Sequence, residues 1–186
     1  DFMLNIYKTD LETNNFEKIK EFKPGSWISL INPTDQEIAM VCSNLDISDE
    51  FIRYPLDYEE QARIDVEDDM TLFVVDVPII EDDSDGKSYS TMPLGMIVVR
   101  DEFFITVSLR KNRIIDSFEK GRVKGMCTYK KTRFTLQILY KIATYYLMYL
   151  KKINKETEPK KEVKETVKEE KAVKEEKIDL TKLTVT

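Results

Sequence analysis

The side chains of this chain best suited to chemistry are carboxylates, and they are crowded. Residues 46–85 hold fifteen Asp or Glu against Arg53 and Arg63, so that segment carries −13 and the rest of the 186-residue chain +7, for a net charge of −6. There is no histidine, which removes Ser–His and Cys–His catalysis, the usual zinc sites and any histidine pH switch. Cys42 and Cys127 stand far apart, neither in a Cys-x-x-Cys pair, and read as two reduced, buried thiols of a cytosolic protein. Carboxylates without His or Cys suit hard cations such as Mg2+ or Ca2+, which take oxygen ligands. The competing reading is a solvated acidic surface.

One acidic run resembles the start of a calcium loop. Glu81, Asp83, Asp85 and Gly86 match positions one, three, five and six of an EF-hand, but position twelve is Met92, which cannot supply the bidentate carboxylate. The flanks read as strands, so Asp85-Gly86 is expected to be a hairpin turn. Asp57, Glu59 and Glu60 would suit acid–base work, yet no nucleophile, Gly-rich phosphate loop or nucleophile elbow accompanies them. A non-enzymatic protein is expected. Outside its tail the sequence offers no basic face, so no nucleic-acid partner is expected.

The elements that must position these acids follow from patterning. Residues 3–7 alternate as a short strand near a sheet edge; residues 14–22 carry no clear preference. Pro24-Gly25 marks a turn before the strand 26–31. Asn32-Pro33-Thr34 stops that strand, with Thr34 as N-cap of a helix whose apolar face is Ile38, Val41, Cys42 and Leu45. Ser48 is expected to cap a shorter helix through Phe51 and Ile52, limited by Pro55. Strands follow at 63–67, 70–80, 88–100 and 103–109, the last three an antiparallel meander. Pro78 places the far end of its strand on an edge or bulge. Residues 112–123 predict a helix, weakened by Gly121.

The longest element is a helix over 132–154, without Gly or Pro. Leu136, Leu139, Ala143, Tyr146, Leu150 and Ile153 form one seam, and Ile138, Ile142, Tyr145 and Tyr149 a second row beside it. So wide an apolar surface is packed on more than one side. Its own sheet can take one side; the other calls for further helices or a partner chain. A membrane span is excluded by Gln137, Lys141, Lys151 and Lys152, since Lys141 alone would cost about 2.5–3.5 kcal/mol at mid-bilayer. Without a signal peptide or a membrane segment, a soluble piece is expected. Asp1 in place of Met suggests a trimmed or incomplete start.

Composition divides the chain at residue 155. With 41% hydrophobic residues overall, residues 1–154 can bury a real core. Residues 155–186 form a Lys/Glu-rich tail in which Pro159 interrupts the helix and residues 160–177 carry only Val163, Val167, Ala172 and Val173 as apolar side chains. A frayed helix or a disordered tail is expected there.

The order of landmarks resembles the cytosolic domain of CorA-type magnesium and cobalt transporters. Trp27-Ile28 and Asn32-Pro33-Thr34 look like its opening. Leu56-Asp57 and the run Glu59-Glu60-Gln61-Ala62-Arg63-Ile64-Asp65 look like its acidic stretch. Pro93-Leu94-Gly95-Met96-Ile97 and Phe104-Ile105-Thr106-Val107 fit its strands, and Lys131-Thr132-Arg133 leads into an aromatic-rich helix. The resemblance covers residues 3–154. It implies an α/β fold, a three-layer α/β/α sandwich with a mixed, largely antiparallel sheet followed by a long C-terminal helix. It also implies a homopentamer and divalent cations bound between protomers. In full length it implies two membrane helices with a Gly-Met-Asn signature, at the cytoplasmic face of the cell membrane. This sequence has no Gly-Met-Asn, and Tyr54 stands where relatives carry a regulatory acid. On this resemblance Asp49, Glu50 and Asp57 are the candidate metal ligands, for a weak, regulatory Mg2+. The expected function is the metal-sensing cytosolic domain of a CorA-like Mg2+/Co2+ transport protein, self-associating and reaching the membrane only through a region absent from this chain. The alternative is a free-standing soluble protein-interaction domain with no transport role.

Overall fold

Seven strands make one mixed sheet in the computed structural model, which describes residues 4–83 and 86–182, with side chains at 4–81 and 87–156. The strands are β1 (Leu4–Thr9), β2 (Phe16–Ile19), β3 (Ser26–Ile31), β4 (Arg63–Glu67), β5 (Met70–Asp83), β6 (Gly86–Val99) and β7 (Phe103–Ser108). Their order across the sheet is β2-β1-β3-β7-β6-β5-β4. Only β3 and β7 run parallel; every other neighbouring pair is antiparallel. The sheet is therefore mixed and largely antiparallel, as expected. Residues 16–19, where the sequence carried no clear preference, form the edge strand β2 through pairing with β1.

Strand lengths explain the prolines. β4 pairs with β5 only from Met70 to Val74, so Pro78, opposite Thr91 of β6, faces no ladder on its other side. Pro93 lies one residue before β7 begins to pair with β6 at Leu94. The β5–β6 ladder continues to Asp83 opposite Gly86. Ser84 and Asp85, within the expected hairpin turn, lie outside the described residues.

Helices α1 (Asp35–Leu45) and α2 (Glu50–Arg53) cover one sheet face. Ile38, Val41, Leu45, Phe51 and Ile52 bury against Ile28, Leu72, Ile97, Ile105 and Val107 in one cluster. Thr34 caps α1 in a reciprocal capping box with Glu37, and Glu37 also accepts the Leu4 N–H at 3.0 Å, tying β1 to the helix start. α2 begins one residue later than a Ser48 cap would place it. Asp49 takes the N-cap position without a side-chain cap hydrogen bond, because its carboxylate is held by Arg53. A 3-10 turn, Tyr54–Leu56, follows.

The other face is aromatic. Trp27, Phe104, Phe118 and Phe134 are fully buried, with Phe134 5.1 Å from Trp27 edge-on and 4.8 Å and 5.2 Å from Phe104 and Phe118. The Trp27 indole N–H donates to Thr106 Oγ1 at 2.9 Å. Helix α3 (Arg113–Glu119) is capped by Asn112 and ends sooner than residue 123, because Gly121 turns left-handed at φ +62°. Helix α4 runs Lys131–Lys182, past Pro159 where an interruption was expected. One proline removes one helical hydrogen bond, and the residues flanking it are strong helix formers.

The chain forms two compact units, Asp1–Thr144 and Tyr145–Thr186. In the first, the row of α4 that buries is Phe134, Ile138 and Ile142, while Leu136 and Tyr140 remain exposed. In the second, Leu147 and Leu150 are exposed. The packing of side chains 160–177 lies outside the described residues. Among the described residues no helix is long and apolar enough to cross a membrane.

Candidate functional site

The acidic segment is held together by two arginines. Arg53, one turn after Asp49 on α2, donates from Nε to Asp49 at 2.5 Å and from its terminal nitrogen to Asp35 at 2.9 Å. The Arg53 hydrogen bond holds the Asp49 carboxyl below the ordinary carboxylate range. Arg63, opening β4, donates to Asp65 at 2.5 Å and also pairs with Glu60. Its guanidinium lies over the Tyr54 ring, and that ring in turn packs beside Phe51.

The three candidate ligands thus meet different fates. Asp49 is half-buried and paired. Glu50, in the first turn of α2, is exposed. Asp57 is exposed and accepts the Glu59 N–H at 3.0 Å, closing a local turn. Among the described residues no group of three or more His, Cys, Asp or Glu is placed to hold a metal ion. Within one chain these residues do not make a full ligand set; Glu50 and Asp57 are the carboxylates left without an arginine. Sequence reasoning counted both arginines but missed which carboxylates they hold. The Asp49–Arg53 spacing of four on a helix was a readable signal, whereas nothing local announces Arg63 over Tyr54.

The site hangs from the sheet through Pro55. A Cβ built on Gly95 would stand 2.9 Å from Pro55 Cβ and closer still to Cγ, so the bare backbone of β6 is what lets the 3-10 turn seat here.

The model of the CorA-like Mg2+ transporter protein family matches residues 23–182. The chain belongs to that family. Solved structures agree at the level of fold. The complete CorA magnesium transporter from Methanocaldococcus jannaschii superposes with a TM-score of 0.66 at 18% identity, over 84% of this chain and 49% of that one. The soluble domain of CorA from the same organism gives 0.68 at 22% identity, over 82% and 60%. The ZntB cytoplasmic domain from Vibrio parahaemolyticus gives 0.64 at 14% identity, over 83% and 63%. This CorA-like chain therefore matches about half to three-fifths of each of those structures. No curated protein sequence matches it.

Proposed function

We propose that this CorA-like chain is the cytosolic, metal-sensing part of a divalent cation transport protein that carries Mg2+ or Co2+, and that it works as a homo-oligomer, a pentamer by family resemblance, at the cytoplasmic face of a membrane. The observation that carries this reading is the family match over residues 23–182, on a chain whose sheet and helices superpose on transporter domains. The apolar side chains Leu147 and Leu150, which the second unit leaves exposed, support self-association. Mg2+ enters as cargo and as a weak regulator. Mg2+ keeps most of its waters and needs only one or two carboxylates, a demand that Glu50 and Asp57 meet and that Asp49 meets only by leaving Arg53.

Reading the coding region beyond codon 186 tests the proposal. A frame that continues into two apolar segments with Gly-Met-Asn supports transport. A stop codon there supports a free-standing interaction domain instead.

A further inference from the structure

The expectation that no basic face exists outside the tail does not hold in three dimensions. Residues 110–133 contain nine Lys or Arg against Asp116 and Glu119. Where the connection between α3 and α4 passes the helix, Lys124, Arg133 and Lys141 rim a groove of about 350 Å3 floored by Val123, Leu136 and Tyr140. No Asp or Glu lines it. None of the three cations is in an ion pair among the described residues. Leu136 is 61% and Tyr140 74% exposed, large apolar side chains without cover. Gln137 donates to the Lys124 carbonyl at 3.3 Å, which fixes the second wall of the groove against the helix. Arg133, Gln137 and Lys141 follow at spacings of four, with Leu136 and Tyr140 beside them, so the groove runs along the helix axis for about two turns.

We propose that this groove docks an acidic amphipathic helix. An elongated groove with an apolar floor takes the apolar stripe of a second helix. Three unopposed cations select carboxylates on the flanks of that stripe and reject a basic helix by like-charge repulsion. The lining is concave and follows one helix, a shape that fits a rod rather than a membrane plane.

The test uses the whole chain and a labelled peptide of about 20 residues, long enough to hold a helix in water, with Leu and Ala on one face and Glu on the other. A twin peptide replaces each Glu by Lys. Fluorescence anisotropy should show the Glu peptide binding at least about tenfold tighter than the Lys peptide, and the difference should shrink in high salt. The double variant Lys124→Glu, Lys141→Glu should weaken the Glu peptide about tenfold, since two exposed attractive charge contacts become repulsive. Tyr140→Ser should weaken both peptides, and an unchanged melting curve would show that these surface variants remain folded. Equal binding of the two peptides, no binding of either, or indifference to the charge reversal overturns the proposal. So does sedimentation with anionic phospholipid vesicles in place of peptide binding, which would make the face a lipid contact. Dissociation of a wild-type oligomer by Tyr140→Ser, with no peptide competition, would assign the groove to a second copy and overturn it as well.

Discussion

The guanidinium carbon of Arg63 sits 4.9 Å from the centroid of the Tyr54 ring. Tyr54 occupies the position where the family resemblance leads one to expect a regulatory acid, so an arginine of the chain itself stands on an aromatic face there, a contact worth about 0.5–1 kcal/mol at an exposed site. With Arg53 bound to Asp35 and Asp49, and Arg63 to Glu60 and Asp65, four of the carboxylates in and around this segment already have an arginine partner.

Millimolar Mg2+ is therefore expected to raise the melting temperature only modestly, following RT ln(1 + [Mg2+]/Kd) for binding to the folded state. Asp57→Asn should remove part of that shift. Arg53→Gln, which frees Asp49 and Asp35, should enlarge it. Differential scanning fluorimetry against NaCl of equal ionic strength reads the specific part. An identical shift in both salts would leave the carboxylates as a solvated surface.

Gly95→Ala should cost about 1–3 kcal/mol, because the new methyl group enters the space of the Pro55 ring. The urea midpoint should fall at constant slope. Wild-type stability in Gly95→Ala would mean that the Tyr54–Leu56 turn shifts freely and does not depend on this contact.

Asp116 accepts a hydrogen bond from Lys120 at 2.6 Å and pairs with Lys111 at 3.2 Å, and the Lys120 contact leads in holding its pKa below the ordinary 3.8. A lowered carboxylate pKa stabilises the fold fully above the unfolded value, and that contribution is lost as pH falls through the folded value. Asp116→Asn should thus be less stable than wild type at neutral pH, and the gap should close on acidification below 3.8. Denaturation at a series of pH values checks it; a constant gap would refute the ion pairing.

Self-association should depend on the exposed apolar side chains of the second unit. Leu147→Glu with Leu150→Glu is expected to weaken it, whereas Tyr145, half-buried, is a less selective probe because changing it also disturbs packing. Sedimentation velocity over a concentration series is the measurement. A wild type that stays monomeric at the highest concentration ends the interface reading.

Limited proteolysis should remove residues 160–177 and move the melting temperature of the remainder by no more than a few degrees. Four small apolar side chains offset little of an ordering cost of about 1–2 kcal/mol per residue. A larger drop would show that the tail packs.

Much of this protein was legible from local signals. Asn32-Pro33-Thr34 with Glu37 announces the start of α1, since a capping box needs only four consecutive residues. Three successive apolar strands joined by short turns, β5, β6 and β7, specify a meander, and the unbroken apolar periodicity after Lys131 specifies α4. Gly121 carries the end of α3, though its left-handed turn ends the helix before residue 123. Tertiary structure decided what depends on partners distant in the chain. β3 lies parallel to β7 with Trp27 opposite Phe104, a pairing that follows from closing the sheet core. Two apolar rows of α4 competed to face inward, and Phe134 settled the choice by seating the Ile138 row on Trp27. Pro55 rests on Gly95, Arg63 on Tyr54, and Lys124 beside Arg133 and Lys141. Sequence spacing encodes which residues share a face of one element, but the approach of two elements is set by the packing of many side chains at once.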